Sequence, residues 1–383
     1  MDIAKVSSEQ ELDAVEKPVR DAFSSFLADA GLLGTDTTVI GLTFRTGGVH
    51  FAAKALEFVP PGLTLLLIGT SLTDTEVDFL SATGMPVFSF HQRFDNELVY
   101  EMLMDFTAGV FGWVDADCFV LGSVVWQDLL APMADTVGSH AAFTYEPLGF
   151  AKTPLVVWSR KARDLLQAEG TTLNSYAPEP TNAGRAAPYS ISRILTEHHH
   201  RYLEQVLGVG PEGELQPHDG LLDIFENGRT VNSRRRHLTE GWFGPGVRRT
   251  GWLVDTPMMA EIVLRAHGFM TKRVIADNFQ ITPDIIHVGA SSYRERMRQE
   301  GASTVYLARF RLTDLFEVLL ADELVQRGLG EVYEELSDTQ KKRLNDESGI
   351  HPTEIREAAR SMLQGEGLDV GALRGDPRFG FLF

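Results

Sequence analysis

The pattern of hydrophobic and polar residues along the first third of the chain predicts a series of alternating helices and strands. Leu12, Val15, Val19, Phe23 and Leu27 recur at helical spacing, so residues 8–30 predict a helix that Pro18 should kink or split. Short apolar runs after it predict three buried strands, at residues 37–44, 63–71 and 85–90. Amphipathic stretches predict the helices that follow them, at residues 49–58, 73–83 and 96–108.

A fourth apolar run, residues 109–122, predicts a strand that runs into an acidic turn. Strands that alternate with helices of this length are typical of parallel βαβ units. The first 122 residues therefore predict half of a nucleotide-binding sheet. Ligands of such sheets lie beyond the carboxyl ends of the strands, where this chain has Thr43, Phe44 and Arg45.

The rest of the chain predicts two irregular stretches and then a helical region. Residues 168–190 and 226–251 are rich in loop-forming residues. A well-capped helix is predicted at 256–267, with short strands at 272–276 and 284–289. Further helices are predicted at residues 291–300, 311–327, 331–345 and 352–364. We expect three parts: a helical segment (1–36), a catalytic domain (37–300) and a C-terminal helical region (301–383).

Composition and charge narrow the range of functions. The 383 residues are 43% hydrophobic and 23% charged, as in ordinary globular proteins, and the net charge is -18. Such a surface repels nucleic acids, so no nucleic-acid partner is expected, and a phosphate-bearing ligand needs a metal ion or clustered arginines. A single cysteine, an acidic N-terminus and short apolar runs lead us to expect a cytoplasmic protein without a transmembrane segment.

The strongest chemical signal is the triplet Asp115-Ala116-Asp117 at the end of the fourth apolar run. Two carboxylates on a turn that leaves a strand can bind a hard divalent cation, and that cation can bridge the phosphates of a nucleoside diphosphate. An Asp-x-Asp triplet also occurs by chance as a polar strand end. Its position after three βα units favours the metal-binding interpretation.

The sequence resembles the GT-A fold glycosyltransferases in three places: "VIGLTFR" (39–45), "WVDADCFV" (113–120) and "IIHVGASSYR" (285–294). The resemblance implies a GT-A-like (Rossmann-like) α/β fold, with a mixed, mainly parallel sheet flanked by helices and a C-terminal helical extension. It implies transfer of a sugar from a nucleoside diphosphate-sugar to an unknown acceptor hydroxyl or amine.

The resemblance also implies roles for individual residues. Asp115, Asp117 and His287 would bind Mn²⁺ or Mg²⁺, although His287 could instead be a core histidine at a strand end. The donor would contact the end of the first strand, at Thr43, Phe44 and Arg45, and the acidic turn, at Asp115 and Ala116.

Two places could supply the catalytic carboxylate. Asp255 is at the start of a helix that resembles a helix of inverting members. In those members an acidic pair begins the helix, and an Arg and a Gly follow later. Arg265 and Gly268 correspond to these two residues, whereas Val254 replaces the first acid of the pair. Asp219, or its neighbour Asp223, resembles a polar cluster of retaining members that lies under the donor sugar. Helix capping is the alternative role for these aspartates.

Two arginines could neutralise the leaving diphosphate, because the guanidinium group binds phosphate in bidentate geometry. Arg294 follows His287 closely in the chain, and Arg248 lies in an arginine-rich stretch that is otherwise typical of a solvated loop.

Three other functions can be considered, and the first of them fits poorly. A haloacid-dehalogenase-like phosphatase usually has Thr two residues after the second Asp, where this chain has Phe119, and has its motif near the N-terminus. A sugar nucleotidyltransferase begins with a glycine-rich basic loop, of which "FRTGGVH" (44–50) is a faint counterpart. A non-catalytic nucleotide-sugar-binding or scaffold protein on the same fold is the third.

Overall fold

The computed structural model describes most of the chain apart from one long central stretch. The described residues are 9–45, 47–90, 96–145, 149–171, 173, 256–289 and 304–383. Among the helices in these ranges, none is both long enough and apolar enough to cross a bilayer.

The N-terminal part of the described chain alternates helices and strands as the hydrophobic pattern predicts. Helix α1 spans Glu9–Asp29 without a break at Pro18. The elements that follow it are β1 (Val39–Arg45), α2 (Val49–Leu56), β2 (Leu65–Thr70), α3 (Asp74–Ser81), β3 (Val87–Phe90) and α4 (Asn96–Phe106). The first five residues of β2 are all buried, as expected for a strand covered on both faces.

The predicted strand at 109–122 is wrong as one element, because the chain turns at Ala116 and Asp117. It forms β4 (Phe111–Asp115) and β5 (Cys118–Val120), which belong to different sheets. An apolar run shows that residues are buried, but it does not show which strand they pair with.

Six elements after β5 complete the central part of the fold. They are α5 (Ser123–Leu130), β6 (Val137–Ala141), β7 (Thr144–Tyr145), β8 (Phe150–Ala151), β9 (Leu155–Trp158) and α6 (Arg160–Ala168). After the central stretch come α7 (Thr256–Ala266), β10 (Met270–Arg273), β11 (Ile281–Thr282) and β12 (Ile285–His287).

The main sheet has seven strands in the order β10-β6-β9-β4-β1-β2-β3. The pairs β2–β3 and β10–β6 are parallel, whereas β6–β9 is antiparallel. The predicted fold class is therefore confirmed: a mixed, mainly parallel sheet flanked by helices, followed by a helical region. A smaller sheet has the order β11-β12-β5, and β7 pairs with β8.

The C-terminal region is helical, as predicted. It contains α8 (Thr304–Gln326), α9 (Glu331–Ser348), α10 (Ile355–Gly365), α11 (Val370–Leu373) and two short 3-10 helices, Pro352–Glu354 and Pro377–Leu382. Lys54 of α2 is 1% exposed, and its ammonium lies 2.8 Å from carboxylate oxygens of both Glu57 and Glu323. This buried ion pair joins α2 to α8.

Two compact units share the chain. One contains residues 1–41, 94–113 and 129–274, and the other contains 42–93, 114–128 and 275–383. In the first, Trp113 stacks on Tyr100 and lies 6.1 Å from Trp158 between ring centroids. In the second, Phe119 packs between Phe51 and Phe316. The predicted boundaries at 36 and 300 stay predictions.

Candidate metal and nucleotide site

The acidic turn lies beside the end of β1. Asp115 is the last residue of β4, and Ala116 and Asp117 form the turn that leads into β5. The Ala116 N–H donates to the Thr43 carbonyl oxygen at 3.3 Å. The two segments that the sequence predicts to bind a nucleotide are therefore neighbours, as expected for adjacent carboxyl ends of strands.

His287 reaches this turn through the small sheet. Strand β12 pairs with β5 in antiparallel register, with His287 opposite Cys118. Two backbone hydrogen bonds hold the end of β12. The His287 N–H donates to the Gln280 carbonyl at 2.7 Å, and the Val288 N–H donates to the Asp117 carbonyl at 3.0 Å. The imidazole Nε2 consequently lies 3.7 Å from Oδ1 of Asp117.

The three side chains form a cluster with the composition of a divalent-metal site. Asp115, Asp117 and His287 each place one potential ligand atom within 4.8 Å of the others. Asp117 and His287 are each 3% exposed, whereas Asp115 is only half-buried, so the cluster is most accessible at Asp115. Two carboxylates and an imidazole fit Mn²⁺ and related cations.

The electrostatic field of the turn is negative. Burial raises the pKa of Cys118 well above its ordinary value, and the charges of Asp115 and Asp117 raise it further. The thiol is therefore kept neutral beside the two carboxylates. A negative field of this kind attracts a cation.

The predicted nucleoside segment is largely covered by the protein itself. Thr43 is 5% exposed, Phe44 is 7% exposed and Ala116 is 5% exposed, whereas Arg45 is half-buried at the strand end. Arg45 is thus the most exposed residue of this group. The backbone of the others lines the same strand end.

Four predicted residues lie outside the described residues: Asp219, Arg248, Asp255 and Arg294. In the sequence, Asp255 is the residue before Thr256, the first residue of α7. The predicted loops beyond residue 173 and the predicted helix at 291–300 also lie outside the described residues.

Arg265 and Gly268, which resemble the Arg and Gly of inverting members, have identifiable structural roles. The Arg265 Nη2 donates to the Gly149 carbonyl at 2.6 Å, and its guanidinium lies 4.0 Å from the centre of the Phe150 ring. Gly268 follows α7 with a φ of 85°, a conformation that favours glycine after a helix.

Glu76 is a further residue of this neighbourhood that the hydrophobic pattern does not indicate. It forms a capping box with Thr73 at the start of α3. It also accepts hydrogen bonds from the Gly47 N–H and the Tyr333 hydroxyl. The Thr-x-x-Glu spacing is visible in the sequence as a capping signal, but its link to Tyr333 requires the tertiary structure.

Comparison with known families agrees with the resemblance seen in the sequence. Residues 14–163 match the model of the StrH glycosyltransferase N-terminal domain. This match confirms the predicted glycosyltransferase class. The matched residues include β1, the acidic turn and β5.

A relative from Streptomyces griseus extends the similarity beyond that domain. It is the dTDP-dihydrostreptose--streptidine-6-phosphate dihydrostreptosyltransferase, which is 27% identical over 266 residues. The aligned part covers 67% of this chain and 67% of the relative.

Solved structures show only a distant likeness. Glucosyl-3-phosphoglycerate synthase from Mycobacterium tuberculosis, solved with Mn²⁺, UDP and phosphoglyceric acid, has a TM-score of 0.27 and 13% identity, covering 37% of this chain and 60% of that one. Mannosyl-3-phosphoglycerate synthase from Rubrobacter xylanophilus has a TM-score of 0.24 and 16% identity, covering 36% and 56%. The chain thus spans less than two thirds of the length of these structures.

Proposed function

We propose that the protein transfers a sugar from a nucleoside diphosphate-sugar to an acceptor hydroxyl or amine and that it requires Mn²⁺ or Mg²⁺. The observation that carries the proposal is the cluster of Asp115, Asp117 and His287 beside the end of β1. A sugar-nucleotide enzyme needs a group that neutralises the leaving diphosphate at this place. The glycosyltransferase domain match over residues 14–163 supports the same class of reaction.

Asp115, Asp117 and His287 would hold the cation. Asp117 and His287 are buried; His287 is paired opposite Cys118, and the Asp117 carbonyl accepts from the Val288 N–H, so the two would provide a preorganised pair of ligands. Asp115 is half-buried and would complete the set on the accessible side. A bound divalent cation supplies Lewis acidity that stabilises the negative charge of the departing diphosphate.

The end of β1 would hold the nucleoside. Thr43 and Phe44 are buried, so their contribution would come mainly from the backbone, whereas the half-buried Arg45 would contact the ligand through its side chain. Ala116 lies beside them and has too small a side chain to obstruct a ribose. This arrangement follows the rule that ligands bind beyond the carboxyl ends of strands.

Arginine side chains would add to the neutralisation of the diphosphate. The chain carries a net charge of -18, so a ligand with two phosphates needs local positive groups. Arg294 and Arg248 are the residues we assign to this role, because the guanidinium group binds phosphate oxygens in pairs.

A carboxylate must take the proton from the acceptor if the reaction inverts configuration. We assign this general base to Asp255, which directly precedes α7. If the reaction retains configuration, Asp219 would instead lie beneath the donor sugar and stabilise the oxocarbenium-like transition state.

The name of the relative indicates which donor to test first. The Streptomyces griseus relative uses a dTDP-sugar by its name, so we propose a deoxythymidine diphosphate-sugar as donor. Its named acceptor, streptidine-6-phosphate, is the first acceptor to test.

The test begins with the binding of dTDP, UDP and GDP, each with and without Mn²⁺, measured by thermal unfolding. A nucleotide at about 100 times its dissociation constant should stabilise the fold by ~2.7 kcal/mol. We expect stabilisation by dTDP only when Mn²⁺ is present, followed by metal-dependent release of dTDP from a dTDP-sugar. Binding without any turnover would favour a non-catalytic protein, and the absence of nucleotide binding with every metal would refute the proposal.

A further inference from the structure

The chain makes a tight turn directly after β1. The Gly48 N–H donates to the Arg45 carbonyl at 2.8 Å. Gly47 has a φ of 75°, and a Cβ atom placed on Gly48 would lie 2.9 Å from the Arg45 carbonyl oxygen. Both glycines are therefore required by the geometry of this turn, and the position of Arg45 depends on how firmly the turn is held.

The Glu76 carboxylate holds this turn from the side. Its Oε1 accepts a hydrogen bond from the Gly47 N–H at 3.3 Å, and its Oε2 accepts one from the Thr73 N–H at 2.9 Å. The residue is only 3% exposed. One buried carboxylate thus joins the turn after β1 to the start of α3.

Tyr333 of the C-terminal helix α9 anchors that carboxylate. Its hydroxyl donates to Glu76 Oε1 at 2.6 Å, and the residue is 1% exposed. His50 packs edge-on against its ring, with 5.7 Å between ring centroids. Burial, the hydrogen bond to Glu76 and the charge of Glu76 all raise the pKa of Tyr333, so the hydroxyl stays a donor at neutral pH.

We propose that Tyr333 is a positioning residue for the donor nucleotide: it fixes the Glu76 carboxylate, which fixes the turn of Arg45, Gly47 and Gly48. This proposal rests on the proposed function, since it takes the end of β1 as the nucleoside site. Without the hydroxyl, the buried carboxylate loses its shortest hydrogen bond, and the turn is held less firmly. The C-terminal helical region thereby gains a role in donor binding.

The test compares two variants that each remove one hydroxyl from α9. Tyr333→Phe removes the donor to Glu76. Ser337→Ala is the matched control, because the buried Ser337 hydroxyl donates to the Asp322 carboxylate, which has no bond to the turn. Hydrogen exchange of the peptide that contains Gly47 and Gly48 is measured without ligand, and dTDP affinity is measured in Mn²⁺.

We expect Tyr333→Phe to speed exchange of this peptide and to raise the dissociation constant of dTDP, each by about tenfold, the lower end of what a hydrogen bond to a charged group contributes. The affinity for Mn²⁺ alone should stay unchanged, because Asp115, Asp117 and His287 are not in this network. Ser337→Ala should leave both the exchange and the affinity as in the wild type. Glu76→Gln should weaken dTDP binding as Tyr333→Phe does, and it replaces that variant if Tyr333→Phe does not fold.

The outcomes separate the two proposals. Unchanged exchange in Tyr333→Phe would overturn the anchoring, whether or not a nucleotide binds. Faster exchange with unchanged dTDP affinity would overturn the positioning role while leaving the proposed function intact. If the wild type binds no nucleotide in any metal, the proposed function fails and the donor role of Tyr333 fails with it.

Discussion

His287 lies opposite Cys118 in the antiparallel pair of β12 and β5, and its Nε2 is 3.7 Å from Oδ1 of Asp117. The distance is a consequence of strand register. A slip of one residue would turn the imidazole to the other face of the small sheet. His287 is therefore brought to the Asp-x-Asp turn by pairing between distant parts of the chain.

This arrangement predicts that metal binding depends on Asp117. Asp117→Asn keeps the shape of the side chain but removes its charge. Loss of a supporting residue around a metal typically lowers affinity 10–100-fold, so loss of a direct ligand should lower it by about 100-fold or more. Mn²⁺ titration followed by electron paramagnetic resonance measures the effect, with circular dichroism to check the fold.

Asp284→Asn is the matched control for this prediction. Asp284 is an exposed carboxylate between β11 and β12 of the same small sheet, outside the cluster. The Asp284→Asn variant should bind Mn²⁺ as the wild type does. The metal assignment would be wrong if Asp117→Asn bound Mn²⁺ with unchanged affinity.

A second prediction concerns Arg45 at the end of β1. Arg45→Ala should raise the dissociation constant of the nucleoside diphosphate by about tenfold, since a hydrogen bond to a charged group is lost. Its effect on Mn²⁺ affinity should be small, because Arg45 is not part of the cluster. Isothermal titration with dTDP in Mn²⁺ measures the nucleotide affinity, and Mn²⁺ titration followed by electron paramagnetic resonance measures the metal affinity. Arg311→Ala, which removes an exposed arginine of α8, should bind dTDP normally; equal affinities of the two variants would contradict a nucleoside site at this strand end.

Local sequence patterns predict an element well when the order of apolar and polar residues within that element decides which of its side chains are buried. Apolar residues that recur every three or four positions predict a helix at 8–30, and helix α1 spans Glu9–Asp29. The apolar run at 63–71 predicts a strand, and β2 spans Leu65–Thr70. In each case the hydrophobic pattern alone specifies the element.

Elements that depend on distant partners are harder to predict. Strand β6, with the sequence VGSHA, contains Gly, Ser and His and has a weak strand pattern. It forms because it pairs with β9 on one side and β10 on the other. The same reason applies to the site: the Asp-x-Asp triplet is visible in the sequence, whereas its contact with His287 depends on the pairing of β5 with β12.

A third prediction concerns the catalytic carboxylate. Asp255→Asn should lower turnover ~10²–10⁴-fold if the reaction inverts configuration, the usual effect of losing a general base. Asp219→Asn should do so instead if configuration is retained. Donor binding should change little in either variant. Turnover is measured with a dTDP-sugar, and proton NMR of the first-formed product gives its anomeric configuration.

Asp277→Asn, which changes an exposed aspartate before β11, controls for a general effect of charge removal. Wild-type turnover in both Asp255→Asn and Asp219→Asn would leave neither assignment standing. Slow turnover of Asp255→Asn in a reaction that retains configuration, or of Asp219→Asn in one that inverts it, would also contradict the assigned roles.

The last prediction uses Glu261, a buried carboxylate of α7. It is 1% exposed and accepts hydrogen bonds from the Ala151 N–H at 2.8 Å and from the Ser139 hydroxyl at 3.1 Å. The Thr271 hydroxyl also donates to it, and Arg265 lies 3.8 Å away. Burial raises the pKa of Glu261 above its ordinary value of 4.5, although these partners oppose the shift.

The raised pKa determines the sign of the pH dependence. The folded protein binds the Glu261 proton more tightly than the unfolded chain does, so the contribution of this proton to stability is complete below pH 4.5 and is lost as pH rises through the folded pKa. Urea unfolding of the wild type and of Glu261→Gln, measured from about pH 4 to about pH 8, isolates this contribution because Gln does not titrate. The free energy of unfolding of the wild type should fall relative to that of Glu261→Gln as pH increases. Glu331→Gln, at an exposed position of α9, should show no such trend relative to the wild type. A difference between wild type and Glu261→Gln that stays constant or grows with pH would show that the hydrogen bonds and Arg265 outweigh the cost of burying the charge.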